Sequence, residues 1–560
     1  MKKYIKNICG ALALTAAFTA CDSKLDVHNP GALTDEQIEN ILANGTDEER
    51  ELVLGGLVQN LKGYVCYRGT IMSAGFSNMS IDNEWVHNNM YRNLQCGDIV
   101  YGDGARHGSG WGQYYTNNPA LNYWSAKQLS ECYGYWCSPA QAISNANKVL
   151  MFLSDEVVGE SPLLKGYKAQ CLTLRGMGYL QLMERFTKAY QHGGKSGHGM
   201  PMYTDYGYQD AKAPATAEET WSFLLKDLKD AVRLFKESSI GTGGYTKAVD
   251  NLTAYDVDLG IAQYFLAKAC MWTGDYQTVI TACNDVMTAF NWQFIKEENY
   301  GVSDTRVAGL CDYTDDVNAA DNAFLAVERN PECIFGWKNS NLYSWSYYNP
   351  FVNGSDMVAN AYFQIDDALW AKMADDDYRK ERFMAQGAEF PYFRFVNNDT
   401  IWVPHTIPAY TSLKWAATIP ATRSERSHQY SESDVILYRT SELVLMMAEA
   451  YAQSGNETEA KNTLNKLLAA RTKAGAPTLT CDNYPSMQGM SALDMCKLQW
   501  RIECWGENGW NFWNAKRWNE VPTYQGTNHW STTTLSIDHM TWEIPEKETQ
   551  TNPNWGSVAR

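Results

Sequence analysis

The sequence predicts a mainly α-helical protein, a helical-repeat scaffold carrying large irregular, loop-rich insertions. Apolar residues recur at three- and four-residue steps through much of the chain, as one buried helix stripe requires. Two helix–turn–helix segments, LAKACMWTGDYQTVITACNDVM from Leu266 and MAEAYAQSGNETEAKNTLNKLL from Met447, repeat each other. Between such segments the helical period fades over long runs rich in Gly, Asn, Pro and aromatic rings. In the repeat, Ala267 and Ala269 match Ala448 and Ala450, and Gly274 matches Gly455. Small residues let two helices approach closely, and the Gly supplies a left-handed cap. This is the hairpin of tetratricopeptide repeats, so the scaffold is tetratricopeptide-like.

The elements follow in chain order. Lys2, Lys3 and Lys6 precede an apolar run from Ile8 to Ala20, too short to span a bilayer and matching the core of a secretory signal. Phe18-Thr19-Ala20-Cys21 resembles the lipobox of bacterial lipoproteins, which makes 1–20 a signal peptide and Cys21 the lipidated residue. Plain cleavage near Ala20 is the alternative. Residues 21–35 read as a tether and 36–560 as a single domain. Helices are expected at 35–62, 139–154, 164–187, 217–237, 254–273 and 275–290. Others are expected around 357–373 and at 435–454, 457–474 and 491–507, with ligand-binding insertions near 85–136 and 291–430.

Composition excludes several classes. Hydrophobic residues at 45% and charged residues at 20% are those of a folded chain. Net charge is −17, and without the first twenty residues 44 basic against 64 acidic residues leave −20. A phosphate backbone repels such a surface, so no nucleic-acid partner is expected. Among the fourteen cysteines there is no C-x-x-C, and the nine histidines form no H-E-x-x-H, so neither a metal site nor a cofactor is expected. Cys171, Cys270, Cys283, Cys496 and Cys504 fall within helical patterns as small buried hydrophobes, while Cys132 and Cys137 leave local pairing open.

Catalytic patterns fail on context. Ala189-x4-Gly194-Lys195-Ser196 mimics a phosphate loop, but a helix precedes it where that chemistry needs a strand. Asp375-Asp376-Asp377 reads as a solvated helix end. No G-x-S-x-G is present, and no carboxylate pair stands out for glycoside hydrolysis.

What stands out is rings, with Trp, Tyr and Phe at 13% of the chain. Asp82-Asn83-Glu84-Trp85 is followed by Tyr91, Tyr101, Trp111, Tyr114, Tyr115, Tyr123, Trp124, Tyr133, Tyr135 and Trp136. A second group holds Trp337, Tyr343, Trp345, Tyr347, Tyr348 and Phe351. Flat rings stack on the C–H face of a sugar while neighbouring amides bond its hydroxyls, and Asn88, Asn89, Asn117, Asn118, Asn339 and Asn341 are interleaved here. Any single ring can equally pack a loop onto the helices; each group as a whole reads as a binding surface.

Motifs in order carry a resemblance to a family. Tyr438-Arg439-Thr440-Ser441-Glu442 with Ala448-Glu449-Ala450, Arg501-Ile502-Glu503-Cys504-Trp505-Gly506-Glu507 and Lys516-Arg517-Trp518 are similar to the carboxyl-terminal signatures of the SusD/RagB family of Bacteroidetes outer-membrane lipoproteins. Ile544-Pro545-Glu546 with Asn552-Pro553-Asn554 resembles its closing motif. Upstream, Ala142-Ile143 with Asn145-Ala146-Asn147, Leu174-Arg175-Gly176 with Tyr179, and Met200-Pro201-Met202 are similar to its earlier elements. Departures are an inserted Asn508, Trp510 for Arg or His, Asn514 for Asp and Gln170 for Glu.

The resemblance implies a non-catalytic lid on a SusC-type TonB-dependent transporter, lipid-anchored in the outer membrane, facing the cell surface and capturing an oligosaccharide. By position it implies ligand contacts at Trp85, Trp111, Tyr114, Tyr115, Trp124, Trp345, Tyr347 and Tyr348. Alternative readings are a peptide receptor of the RagB type, a surface glycoside hydrolase, or a purely structural lid.

Overall fold

Fourteen α-helices and eight short strands occur among the described residues of the computed structural model, which are 33–66, 95–101, 130–207, 210–241, 257–289, 292–303, 322–337, 363–396, 399–415, 434–529 and 536–558. Helices α1 (Asp35–Asn44) and α2 (Asp47–Cys66) lead to α3 (Ser130–Leu150), the short α4 (Asp155–Val158), α5 (Pro162–Phe186) and α6 (Ala217–Lys236). Helix starts are chemically marked. Thr34 and Gln37 close a capping box on α1, Thr216 and Glu219 another on α6, and Ser161 caps α5 just before Pro162.

Helix α5 is the spine, and all but five of its 25 residues are buried. It packs on α3 on one side and α6 on the other, with two glycines at the contacts. A Cβ on Gly176 would lie 2.8 Å from Leu228 Cγ of α6; one on Gly178 would lie 2.8 Å from Ile143 Cγ1 and 2.9 Å from the Pro139 carbonyl of α3. Arg175 then pins the three together, through Asp227 on α6 (2.7 and 2.9 Å) and Asn147 on α3 (3.0 Å). Gly178→Val is expected to wedge α3 from α5 and cost about 1–3 kcal/mol. Urea denaturation checks this, and an unchanged midpoint would reject it.

The two sequence repeats are consecutive units in space. α7 (Leu259–Thr273) turns through Gly274 at φ 81° into α8 (Tyr276–Ala289). α10 (Thr440–Gln453) turns through Gly455 at φ 79° into α11 (Glu457–Ala470). α8 packs on α10, so the helical array is continuous across the long insertion between them. α12 (Ala492–Glu503) and α13 (Trp510–Trp518) follow, and α14 (Glu546–Thr551) lies near the carboxyl end.

Several expectations need correction. The helix expected from 139 begins at Ser130, with Pro139 inside it. Proline cannot donate to the Tyr135 carbonyl four residues back, and buried Arg185 donates to that carbonyl instead, at 3.0 Å. Tyr133, Tyr135 and Trp136 therefore belong to a core helix and not to a ligand loop. Tyr135 packs edge-on to Trp542 at 4.3 Å, and Trp136 to Phe186 at 5.1 Å. Residues 435–439, expected to be helical, form a strand. Of the helix expected around 357–373, only α9 (Asp367–Lys372) is seen, after a strand at 363–365, and 357–362 lie outside the described residues. Within 291–430, expected to be irregular, β6 (Ala388–Val396) and β7 (Asp399–Ile407) form a nine-pair antiparallel hairpin.

Cys132 and Cys137 do not pair. On a helix they are five residues apart, about 7.5 Å along the axis and on different faces, beyond disulfide reach. Cys132 donates instead to the Glu543 carbonyl. Cys171, Cys270, Cys283, Cys496 and Cys504 are buried and free, and burial pushes the Cys171 and Cys270 thiols up to about 12.

Candidate ligand-binding site

Two strand pairs organise the ends of the ring-rich stretches. β1 (Ile99–Tyr101) leads into 102–129, and β5 (Phe363–Ile365) receives the chain from 338–362. They run antiparallel, with Ile99 opposite Ile365, Val100 opposite Gln364 and Tyr101 opposite Phe363. The entry to one stretch and the exit from the other are thus neighbouring backbone positions, about 5 Å apart. β4 (Cys333–Trp337), which leads into 338–362, pairs with β8 (Val435–Arg439), where Trp337 is opposite Val435.

One segment, 501–507, holds both pairs. Arg501 Nε meets Asp98 Oδ1 at 3.0 Å, and the buried Trp505 indole donates to the Asp98 carbonyl at 2.8 Å, which fixes the start of β1. Glu503 and Glu507 receive Arg439, the last residue of β8, at 3.0 and 2.7 Å. A loop clamps β5 from the other side. Gly526 N–H donates to Asp366 and Asn528 to the Ile365 carbonyl, while His529 Nε2 lies 2.9 Å from Asp366 and 3.0 Å from the Gly97 carbonyl. Burial would raise the Asp366 carboxyl, but His529 and the Leu369 and Gly526 amides hold it below its usual value.

Beneath the strands lies a buried ion cluster. Arg379, Arg439, Arg471 and Lys414 face Asp377, Glu332, Glu503 and Glu507, four cations against four anions. Glu503 is central, meeting Arg471 at 2.8 and 3.0 Å, Arg439 at 3.0 Å and Arg379 at 2.9 Å. The Arg471 guanidinium also lies 4.7 Å over the Tyr300 ring. Buried charges persist only when paired in this way. Asp377, expected to be solvated, is fully buried because Arg379 folds back onto it, whereas Asp375 remains outside with Lys380.

Two carboxyls here titrate in opposite senses. Burial, aided by the charge on Glu507, pushes Glu442 up to about 7 against its bonds from Tyr264, Arg439 and Trp510. It binds its proton more tightly folded than unfolded, so its contribution is present below about 4.5 and is lost as pH rises toward 7, about 3 kcal/mol in all. Burial would also raise Glu503, but Arg471, Arg439 and Arg379 outweigh it and hold it well below the usual range. Its contribution is lost as pH falls through the acid range. The combined contribution of these two carboxyls is therefore expected to be greatest near pH 5. Denaturation at several pH values checks this, and Glu442→Gln should flatten the fall toward pH 7 whatever its absolute stability. An equally steep fall in that variant would reject the assignment.

Of the sequence-predicted contacts, Trp85, Trp111, Tyr114, Tyr115, Trp124, Trp345, Tyr347 and Tyr348 lie outside the described residues, as does Cys21. Of the anchors at the ends of these stretches, Arg439 and the 501–507 segment were legible, and only as family motifs. Nothing in the sequence pairs Asp98 with Arg501 or the 526–529 loop with Asp366. The phosphate-loop lookalike is closed on itself: Gly194 and Lys195 N–H groups donate to the Ala189 and Tyr190 carbonyls, and the Lys195 side chain pairs with Glu218. Among the described residues, no three His, Cys, Asp or Glu side chains gather as a metal site, and no helix is long and apolar enough to cross a membrane.

Comparison with known proteins finds two family models and a set of similar folds. Residues 360–556 match the model of the SusD family, and residues 75–248 match a family described as starch-binding and associating with the outer membrane. None of the curated proteins matches. Among solved structures, a SusD-like carbohydrate binding protein from Bacteroides vulgatus is 19% identical with a TM-score of 0.61, covering 90% of this chain and 98% of its own. A SusD superfamily protein from Bacteroides thetaiotaomicron is 17% identical at 0.58, with the same coverage. One from Parabacteroides distasonis is 13% identical at 0.61, covering 91% and 98%. At these identities the likeness is one of fold.

Proposed function

The chain belongs to the SusD/RagB family, and from that premise we propose that it binds an oligosaccharide without cleaving it and delivers it to a SusC-type TonB-dependent transporter. In this reading it is an outer-membrane lipoprotein, anchored through Cys21 and facing the cell surface. Trp85, Trp111, Tyr114, Tyr115, Trp124, Trp345, Tyr347 and Tyr348 supply the stacking surfaces. The observation that carries the reading is the pairing of Tyr101 with Phe363, which sets the entry to one ring-rich stretch beside the exit from the other. Two groups distant in sequence can then serve one ligand. The solved carbohydrate-binding relative and the starch-binding description of the family that matches residues 75–248 support a sugar as that ligand.

Isothermal titration against a library of polysaccharide digests tests it. One oligosaccharide should bind and be recovered unchanged after long incubation. Trp85→Ala and Trp345→Ala should each weaken it at least tenfold, about 1.4 kcal/mol. A library without a binder, or products in the recovered ligand, would overturn the reading. Co-purification of the transporter with the full lipidated chain tests the delivery step.

A further inference from the structure

We propose that the helical-repeat half carries a second ligand site, a cleft for a single neutral sugar ring, separate from the strand-anchored loops. The cleft has a volume of about 300 Å³ and lies between α3, α5, the chain after β2 (His198–Pro201) and α14. None of its lining residues belongs to β1, β5, the 501–507 segment or the ion cluster. None of the loop aromatics lines it.

The walls are preformed. Trp136 is held edge-on by Phe186 at 5.1 Å and by Trp555 at 5.9 Å. Tyr179 OH donates to the Tyr203 carbonyl at 3.1 Å and accepts from Tyr203 N–H at 2.8 Å. Asn147 donates to the same carbonyl at 2.8 Å and is itself held by Arg175. Glu548 reaches the cleft from the carboxyl-terminal strap, with one oxygen fixed by the Trp555 indole at 2.9 Å and by Asn552. A site assembled this way from separate chain segments loses little entropy on binding.

Two polar groups remain open in the lining. Among the described residues, the Trp136 indole N–H has no acceptor, and the second Glu548 oxygen has no donor. They offer one donor and one strong acceptor beside the rings of Trp136, Tyr179 and Tyr203 and the apolar Met200. Such a set bonds hydroxyls while covering a C–H face. No basic side chain lines the cleft, and Asp205 and Glu548 repel anions, so phosphates and carboxylates are poor fits. The volume is at the bottom of the range for ligand pockets, which suits one ring and not a chain.

Saturation-transfer NMR and titration calorimetry with the methyl glycosides of glucose, galactose, mannose and N-acetylglucosamine test the proposal, with butylammonium as the cation control. At least one glycoside should bind with a dissociation constant of about a millimolar. Ser144 is an exposed helical residue at the rim, so Ser144→Trp should fill the mouth and abolish binding without altering the circular dichroism spectrum or melting temperature. Glu548→Gln should weaken binding severalfold, and Trp85→Ala and Trp345→Ala should leave it unchanged. The proposal is overturned if no glycoside binds, if butylammonium alone does, or if Ser144→Trp binds like the parent. Because oligosaccharide capture is read in the Trp85 and Trp345 variants and monosaccharide binding in Ser144→Trp, failure of one site is distinguishable from failure of the other.

Discussion

Glu503→Ala is expected to cost about 3–5 kcal/mol of folding stability, the largest effect of any single substitution here. The carboxylate is fully buried and shared among Arg379, Arg439 and Arg471. Removing it leaves three guanidinium groups with one anion too few, in a place that water does not reach. The partners cannot relax toward solvent, because Arg439 ends β8, Arg471 follows α11, and Arg379 is tied to Asp377 and Gln499. Urea unfolding followed by tryptophan fluorescence measures the loss. The exposed Lys226–Asp230 pair on α6 supplies the comparison, since Lys226→Ala should change stability by less than about 0.5 kcal/mol. A Glu503→Ala loss under about 1 kcal/mol would mean that the cluster is not a structural strut.

Arg501→Ala should separate support of the loops from global stability. It removes the charged partner of Asp98, a carboxylate 1% exposed, and leaves that group buried beside the start of β1. A loss of about 2–3 kcal/mol is expected, concentrated at the β1–β5 pair, because Trp505 and Asp366 still hold the Asp98 carbonyl. Hydrogen exchange should quicken at 99–101 and 363–365 while α5 and α7 keep their protection. Oligosaccharide affinity should fall at least tenfold, since stacking rings must be held within a fraction of an ångström. Unchanged exchange at 99–101 would show that Arg501 does not anchor the strand.

The helical half was largely legible because it is built locally. Thr216 with Glu219, Gly274 and Gly455 declare where helices start or turn, and the apolar stripes declare their faces. α13 was not legible. Its residues from Trp510 to Arg517 are all buried, Asn511, Asn514 and Arg517 included, so its polar positions do not mark a solvent face. The start of α3 was hidden by Pro139, whose helix-breaking character is offset by Arg185, which meets the Tyr135 carbonyl fifty residues away in sequence and is adjacent only after folding. The burial of Asp377 was hidden for the same reason, since it depends on Arg379, Tyr484 and the ion cluster behind them.

By itself the sequence determined the repeat hairpins, the acidic charge, the clustering of rings into separate stretches and the family signatures. These depend on neighbours along the chain or on composition. Only the tertiary structure decided that the Arg501–Glu507 motif braces β1 and β8 together, that Tyr101 lies opposite Phe363, and that Tyr133 and Tyr135 serve the core. The reason is physical: strand register and buried ion pairing join residues hundreds of positions apart. Their energies are set by geometry and desolvation at the contact, which no local pattern records.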